Sequence, residues 1–178
     1  MSCFISSGIE LGCSDGLGGI KKVYILGGST GATISGLTYD ADGAITGATG
    51  NGTLYGFEVK RNTSSLVQTT TKSFENSSVF WEQVLTIVAF KYDQDKRNLL
   101  KILGQNDDLK IVAIDQNDTQ VLLGQVNGMF LSGGDANSGT ALGDGSKFTY
   151  IFSGQEPEPA RVIDGALATV FSGFTISG

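Results

Sequence analysis

The sequence predicts a mainly β protein, an antiparallel sandwich or partly closed barrel with one α-helix on its flank. Glycine numbers 26 among 178 residues, about twice its usual share of ~7%, as is typical of chains with many tight turns. Between the glycines, short runs rich in Thr, Val, Ile and Phe alternate with turn signals, and long helix-forming stretches are scarce. The length suits one domain spanning residues 1–178, with a sizeable core.

The elements follow in order along the chain. A glycine-rich arm is expected at residues 1–19, and a flexible glycine-rich segment at 27–52, where Asp-Ala-Asp-Gly at 40–43 marks a turn. Glu-Pro-Glu-Pro at 156–159 predicts an extended connection outside any sheet. The strand-like runs are residues 21–26, 32–39, 44–48, 53–60, 63–75, 79–90, 109–115, 119–123, 147–152 and 166–176.

One helix is predicted, over about residues 93–103. Asp93 can cap its first turn, and Gly104 can end it. Leu99, Ile102 and Leu103 form an apolar stripe at helical spacing.

The run "KKVYILGGSTGATISG", residues 21–36, begins like a phosphate-binding loop, because an apolar strand leads into Gly27, Gly28 and Gly31. Such a loop needs a helix next, whose N-terminal amides meet the phosphate. Residues 32–38 instead alternate β-branched and small side chains, which predicts a strand. We therefore interpret these glycines as a pliable connection between strands, and not as a nucleotide site.

Other chemistry has little support in the sequence. The absence of histidine excludes a Ser-His-Asp or Cys-His nucleophile. Cys3 and Cys13 fit no metal or redox spacing, and the Asp-rich runs at 40–43 and 115–118 are interpreted as hairpin turns instead of calcium loops. We expect no catalysis, no cofactor and no metal.

Charge and hydropathy narrow the possible partners. The formal net charge is -6 and no basic run occurs, which argues against sequence-specific DNA binding. The first residues lack the pattern of a secretory signal, and no apolar run approaches the ~18 to 20 residues of a membrane span. We expect no membrane partner.

A long hairpin across residues 63–90 is the most informative region. Its first strand is rich in threonine and nearly polar on both faces, whereas its second strand, 79–90, is apolar on both faces. A solitary domain with one wet sheet face should show polar alternation instead. A surface shared with other copies of the chain would explain why one strand is polar and the other apolar on both faces. The alternative explanation is a large sandwich with an uneven core.

The stretches "YGFEVKRNTSSLVQTTTKSFENSSVFWEQVLTIVAFKYDQDKRNLLKIL" and "KIVAIDQNDTQVLLGQVNGMFLSGG" resemble the tail tube (major tail) proteins of tailed bacteriophages, especially those of phages that infect Bacteroidetes. The segments "LGCSDGLGGIKKVYI" and "GTALGDGSKFTYIFSGQEPEPA" are similar too. The resemblance covers most of the chain and rests on the order of elements and on sequence texture.

The resemblance implies a structural virion protein, made in the host bacterial cytoplasm and located in the viral tail. Hexameric rings would stack into a tube, with a hairpin from each copy completing a continuous β-barrel around the lumen. Genomic DNA would pass through without specific binding, which an acidic wall would favour. Further partners would be tape measure and tail terminator proteins and, in a contractile tail, a sheath.

Two sets of residues follow from this interpretation. The candidate lumen or inter-subunit hairpin set is Thr63, Val67, Thr69, Thr71, Lys72, Glu75, Phe80, Glu82, Val84 and Thr86. The candidate ring-stacking set is Gly28, Gly31, Asp40, Asp42, Gly50 and Asn51.

Two alternatives from other classes remain open. The chain could be a β-sandwich capsid decoration or carbohydrate-binding module, in which Tyr24, Tyr39 and Tyr55 form a sugar platform. A hydrolase using paired carboxylates has less support, because Asp107 with Asp108, and Glu156 with Glu158, sit in polar runs.

Overall fold

The computed structural model describes residues 8, 16–27, 31–91 and 93–178. It is mainly β, with 53% of residues in strands and 9% in helices, which confirms the predicted fold class. The strands are β1 (Ile20–Gly27), β2 (Thr33–Tyr39), β3 (Ile45–Asn51), β4 (Thr53–Glu58), β5 (Ser65–Ser73), β6 (Ser78–Phe90), β7 (Ile111–Asp115), β8 (Gln120–Leu123), β9 (Phe130–Asn137), β10 (Lys147–Glu156), β11 (Arg161–Ile163) and β12 (Thr175–Ser177). The helices are α1 (Gln94–Leu103) and α2 (Leu167–Val170).

The strands form two sheets. The larger is an eight-stranded, curled half-barrel in the order β12-β4-β1-β7-β8-β11-β3-β2. The smaller has the order β5-β6-β10-β9 and is antiparallel throughout. Within the larger sheet, β12 pairs with β4 and β11 pairs with β3 in parallel, and the remaining pairs are antiparallel.

The middle strands of the curled sheet, β1 and β7, are buried on both faces. In β1, Val23 and Ile25 pack toward the smaller sheet, whereas Tyr24 and Leu26 pack into the hollow of the curl. Strands buried on both faces become continuous apolar runs, as in Val23–Leu26. One core therefore lies between the sheets, and a second lies inside the curl, around α2 and the two rings Phe171 and Phe174.

A single residue, Gly52, joins β3 to β4 although these strands lie near opposite ends of the larger sheet. The curl brings those two ends together. Gly52 has φ +135°, and a Cβ added there would come within 2.6 Å of the Ala32 Cβ, so only glycine fits this corner without strain. At least one glycine of the predicted segment 27–52, Gly52, thus has a structural role as the corner between two strands. The flexibility expected for that segment stays a prediction.

The predicted helix is confirmed at Gln94–Leu103. The Asp93 side chain accepts a hydrogen bond from the backbone N–H of Asp95, and Leu103 is buried. Gly104 follows as expected, but its φ of -71° is right-handed, so the helix ends without a left-handed cap.

The strand predicted over residues 166–176 is wrong in most of its length. Residues 167–170 form α2, and only Thr175–Ser177 is strand. The strand prediction took a helical spacing for apolar alternation. The buried residues recur at i, i+3, i+4 and i+7, which is the period of a helix: Leu167, Val170, Phe171 and Phe174. The sequence prediction also missed β9, because Phe130–Asn137 is glycine-rich and mostly exposed.

We expect Phe171→Ala to lower the free energy of unfolding by about 3–5 kcal/mol, because it leaves a cavity in the core of the curl. The Phe171 ring is fully buried and meets the Phe174 ring edge-on at 5.4 Å between centroids. Urea denaturation followed by circular dichroism measures the change. The control is Val162→Ala on a 43% exposed side chain; equal losses for both variants would contradict a core role for Phe171.

Candidate assembly surface

The smaller sheet turns one face to the core and leaves the other face outside it. Along β10, Phe148, Tyr150 and Phe152 are buried and alternate with partly exposed residues. The same alternation in β6 buries Leu85 and Ile87. Because side chains alternate across a strand, the intervening residues share the opposite side of the sheet.

We call this opposite side the outer face. None of its members belongs to either buried cluster. It is defined by the cross-strand register and comprises Ser65, Val67, Thr69, Thr71 and Ser73 of β5; Ser78, Phe80, Glu82, Val84, Thr86, Val88 and Phe90 of β6; Lys147, Thr149, Ile151, Ser153 and Gln155 of β10; and Phe130, Gly133, Asp135 and Asn137 of β9.

Both edges of this sheet are unpaired among the described residues. β5, nine residues long, pairs with β6 alone, and β9, eight residues long, pairs with β10 alone. Solitary proteins protect such edges with prolines, charges or covering elements, since a bare edge can pair with another chain. β5 has no proline and only one charged residue, Lys72. The edge is therefore well suited to accept a strand.

The predicted hairpin is confirmed as β5 and β6, and the outer face collects most of the candidate residues named for it. Seven of the ten lie there: Val67, Thr69, Thr71, Phe80, Glu82, Val84 and Thr86. Thr63 and Glu75 lie in the turns that flank the hairpin strands, and Lys72 lies on the opposite side of β5 by alternation. Thr63 and Glu75 were included because the strand predicted over residues 63–75 is longer than β5, and Lys72 because the polar residues of β5 do not distinguish its two faces.

Sequence reasoning missed the contribution of β10 and β9 to the outer face. The signal was present in Lys147–Phe152, where aromatic residues at 148, 150 and 152 alternate with polar or aliphatic ones. Of all outer-face residues only Glu82, Asp135 and Lys147 carry charge. The face is thus dominated by hydroxyl and aliphatic groups, with a slight acidic excess.

The candidate ring-stacking residues do not form one loop. Gly28 lies outside the described residues. Asp40 and Asp42 sit in the turn of the β2–β3 hairpin, where the Asp40 carboxylate accepts hydrogen bonds from the N–H groups of Asp42 and Ala44. Gly31, Gly50 and Asn51 lie at the other end of that hairpin, where Thr33 pairs with Asn51.

The proposed sugar platform is not brought together. Tyr24 is buried in the curl, so its ring is not available to a glycan. Tyr39 is exposed, but the Arg161 guanidinium lies over its ring at 4.8 Å from the centroid, and its hydroxyl accepts a hydrogen bond from Gln125. Tyr55 is exposed on β4, in a different part of the sheet.

A buried carboxyl group organises one end of the smaller sheet. Glu156, the last residue of β10, is 2% exposed, and its two oxygens accept hydrogen bonds from the backbone N–H groups of Val126 and Asn127 at 3.0 and 2.9 Å. The neighbouring buried Gln83 accepts a bond from the N–H of Gly124. These two side chains satisfy backbone donors that would otherwise lack partners, and so fix the loop at 124–128.

The β9–β10 loop at the other end of the sheet has its own organiser. The Asp144 carboxylate accepts hydrogen bonds from the N–H groups of Thr140 and Ala141 at 3.0 and 2.8 Å. The bond from Ala141, then that from Thr140, lowers the pKa of Asp144 below its ordinary value of 3.8.

The structure carries no sign of a metal centre in its described part, where no three or more Cys, His, Asp or Glu side chains group together. None of the described helices has the length and apolar character needed to cross a membrane. The strand predicted after Gly31 is confirmed as β2, so no helix N-terminus follows the glycine run. No family model, curated protein or solved structure matches the chain.

We expect Glu156→Ala to lower the free energy of unfolding by about 2 kcal/mol, because it leaves two backbone donors unpaired beside the core. Glu156→Gln keeps one acceptor oxygen and should lose less. Hydrogen exchange at Val126 and Asn127 should accelerate in both variants. Glu75→Ala, on an exposed turn residue, is the control; unchanged exchange at 126–127 in Glu156→Ala would contradict the assigned role.

The β9–β10 loop should lose order in acid. Because the pKa of Asp144 is depressed in the folded state, its contribution is complete above the unfolded value and disappears as the pH falls through the folded value. We expect a carboxyl resonance of Asp144 that titrates below 3.8, together with faster exchange of the Thr140 and Ala141 amides once it does. Asp144→Asn should show fast exchange already at neutral pH, and a titration at or above the ordinary value would refute the assignment.

Proposed function

We propose that this protein is a structural subunit that assembles with its own copies into rings, and that these stack into a phage tail tube. The observation that carries the proposal is the smaller sheet: an outer face excluded from both cores, bounded by two unpaired edges. Within the described part of the subunit, the outward N–H and C=O groups of both edges have no sheet partners, and copies side by side would satisfy them.

The order of the sheet favours closure by identical copies. In β5-β6-β10-β9 every neighbour is antiparallel, so β5 and β9 run in opposite directions. The β9 strand of one copy can therefore pair with β5 of the next and continue the same alternation. Six such sheets would be roughly 115 Å around and about 37 Å across between backbones, before strand tilt widens the barrel. That width accommodates a DNA duplex.

The chemistry of the outer face supports a passive conduit. A wall that bound phosphate would slow DNA, since each Lys or Arg contact with the backbone adds affinity. Here Glu82 and Asp135 outnumber the single base, Lys147, and the other members are mostly Thr, Ser and Val. In an assembled ring these residues would line the bore.

Within this proposal the protein is made in the bacterial cytoplasm and incorporated into the virion. Its further partners are then the proteins that set tube length and close the tube, the tape measure and the tail terminator. A sheath would contact the outside of the tube, which the larger sheet would form.

The proposal predicts that β5 and β9 of different copies meet. Cysteines at Thr69 and Asp135, both on the outer face, are introduced after Cys3 and Cys13 are changed to serine. A short bismaleimide should then link the double variant into a ladder that stops at a closed oligomer. Gel electrophoresis measures the ladder, and negative-stain microscopy of the same sample should show rings or tubes.

Single-cysteine variants provide the controls. Neither Thr69→Cys nor Asp135→Cys alone should cross-link, whereas a mixture of the two should give dimers. Thr46→Cys, on the exposed side of β3, mixed with Asp135→Cys should give none. A monodisperse monomer at high concentration, with no ladder and no rings, would overturn the proposed function.

A further inference from the structure

The smaller sheet has two dissimilar ends. At one end Trp81 of β6 pairs with Glu156, the last residue of β10. β6 and β5 continue past this point and remain paired to Ser78 and Ser73. They form a two-stranded ribbon, residues 71–80, that projects about 10 Å beyond β10 at the usual rise per residue. Two strands alone are marginally stable in water, so such a ribbon gains from a partner.

Phe74 sits in the turn at the tip of this ribbon and is 84% exposed. At the opposite end of the sheet, where Lys147 pairs with Phe90, the loop 138–146 carries Leu142, whose side chain is fully exposed. These two are the most exposed large apolar side chains among the described residues. Single exposed apolar residues are common, but here one marks each end of the same sheet.

The charges of the two ends are complementary. The ribbon end carries two cationic side chains, Lys72 and Arg161, against five acidic ones outside the core, Asp40, Asp42, Glu75, Glu82 and Glu158. The Asp40–Gly43 turn belongs here because the Gly43 carbonyl accepts a hydrogen bond from Arg161, which pairs with Glu158. We call this the acidic end.

The opposite end has a basic excess. Lys60 lies over the Phe90 ring at 5.0 Å from its centroid, and the N–H of Lys91 bonds to the Ser146 carbonyl, which places both beside Lys147. With the start of α1 included, this end carries Lys60, Arg61, Lys91, Lys96, Arg97 and Lys147 against Asp93, Asp95, Asp135 and Asp144. We call this the basic end.

We infer that the acidic end of one copy docks on the basic end of another, with Phe74 and Leu142 as the apolar anchors of the contact. The two patches are different surfaces of the same chain, so the contact is heterologous and propagates in one direction. The inference deepens the proposed function, on which it rests: it names the surfaces through which rings stack and gives the stack a polarity. Charge attraction orients the two ends, and the anchors bury their exposed surface at the joint.

The test compares tube lengths in negative-stain micrographs for Phe74→Ser, Leu142→Ser and the wild type. Both side chains are exposed, so the monomer fold should be retained, as circular dichroism can verify. We expect rings that stack poorly, with the concentration needed for tubes raised about tenfold or more. Ile102→Ser removes a 56% exposed side chain from α1, and its tubes should match those of the wild type.

Charge reversal gives a second, independent measurement. Glu75→Lys and Lys147→Glu should each shorten the tubes, and mixing or combining the two should restore length only if the residues face each other across the joint. Higher salt should shorten wild-type tubes by screening the attraction.

The two proposals fail in different ways. If the wild type forms neither rings nor tubes, the proposed function fails. If the wild type forms tubes, and Phe74→Ser and Leu142→Ser form tubes of equal length at equal concentration, the rings stack through other surfaces and this inference is overturned. Rings without tubes in both variants would support it.

Discussion

Burial of both faces of β1 and β7, in the middle of the larger sheet, is the constraint on which the rest of the molecule depends. β1 and β7 pack one set of side chains against the smaller sheet and the other set into the curl around Phe171. The middle of the larger sheet therefore has no free face to offer, and the helix α2 helps to fill the inside of the curl. The smaller sheet gains its core contact from one side only. Among the described residues, none packs on its outer face as part of a buried cluster.

The same division determines how the chain can meet its copies. In the proposed assembly, side-by-side contact would use the edges of β5 and β9, whose backbone groups have no sheet partner among the described residues. End-to-end contact would use the two ends of the same four strands, where the acidic end and the basic end carry opposite excess charge. Both directions of growth originate in one sheet, while the larger sheet holds that sheet in shape. A ring and a stack would then share their structural basis.

Much of the fold could be predicted from local pattern, and the failures have physical reasons. The β5–β6 hairpin, the β7–β8 hairpin and α1 follow from alternation, turn residues and a capping aspartate, all of which act within a few residues. The prediction for segment 166–176 is wrong because four apolar residues in a short run fit both the strand period and the helix period. Only the core inside the curl, which these residues fill, distinguishes the two. β9 was missed because an exposed edge strand leaves little apolar signal. The outer face depends on register across four strands, which no single stretch reveals, so its β5 and β6 members were found and its β10 and β9 members were not.

The one-residue link at Gly52 leaves the chain no slack where β3 passes into β4. An extra residue there would either bulge against Ala32 or slide β4 by one position, which would exchange its inward and outward side chains. The loop at 138–146, in contrast, is largely exposed. It connects the neighbouring strands β9 and β10 with many more residues than a tight hairpin turn needs. A peptide label spliced into the chain would thus be incompatible with the first site and compatible with folding at the second.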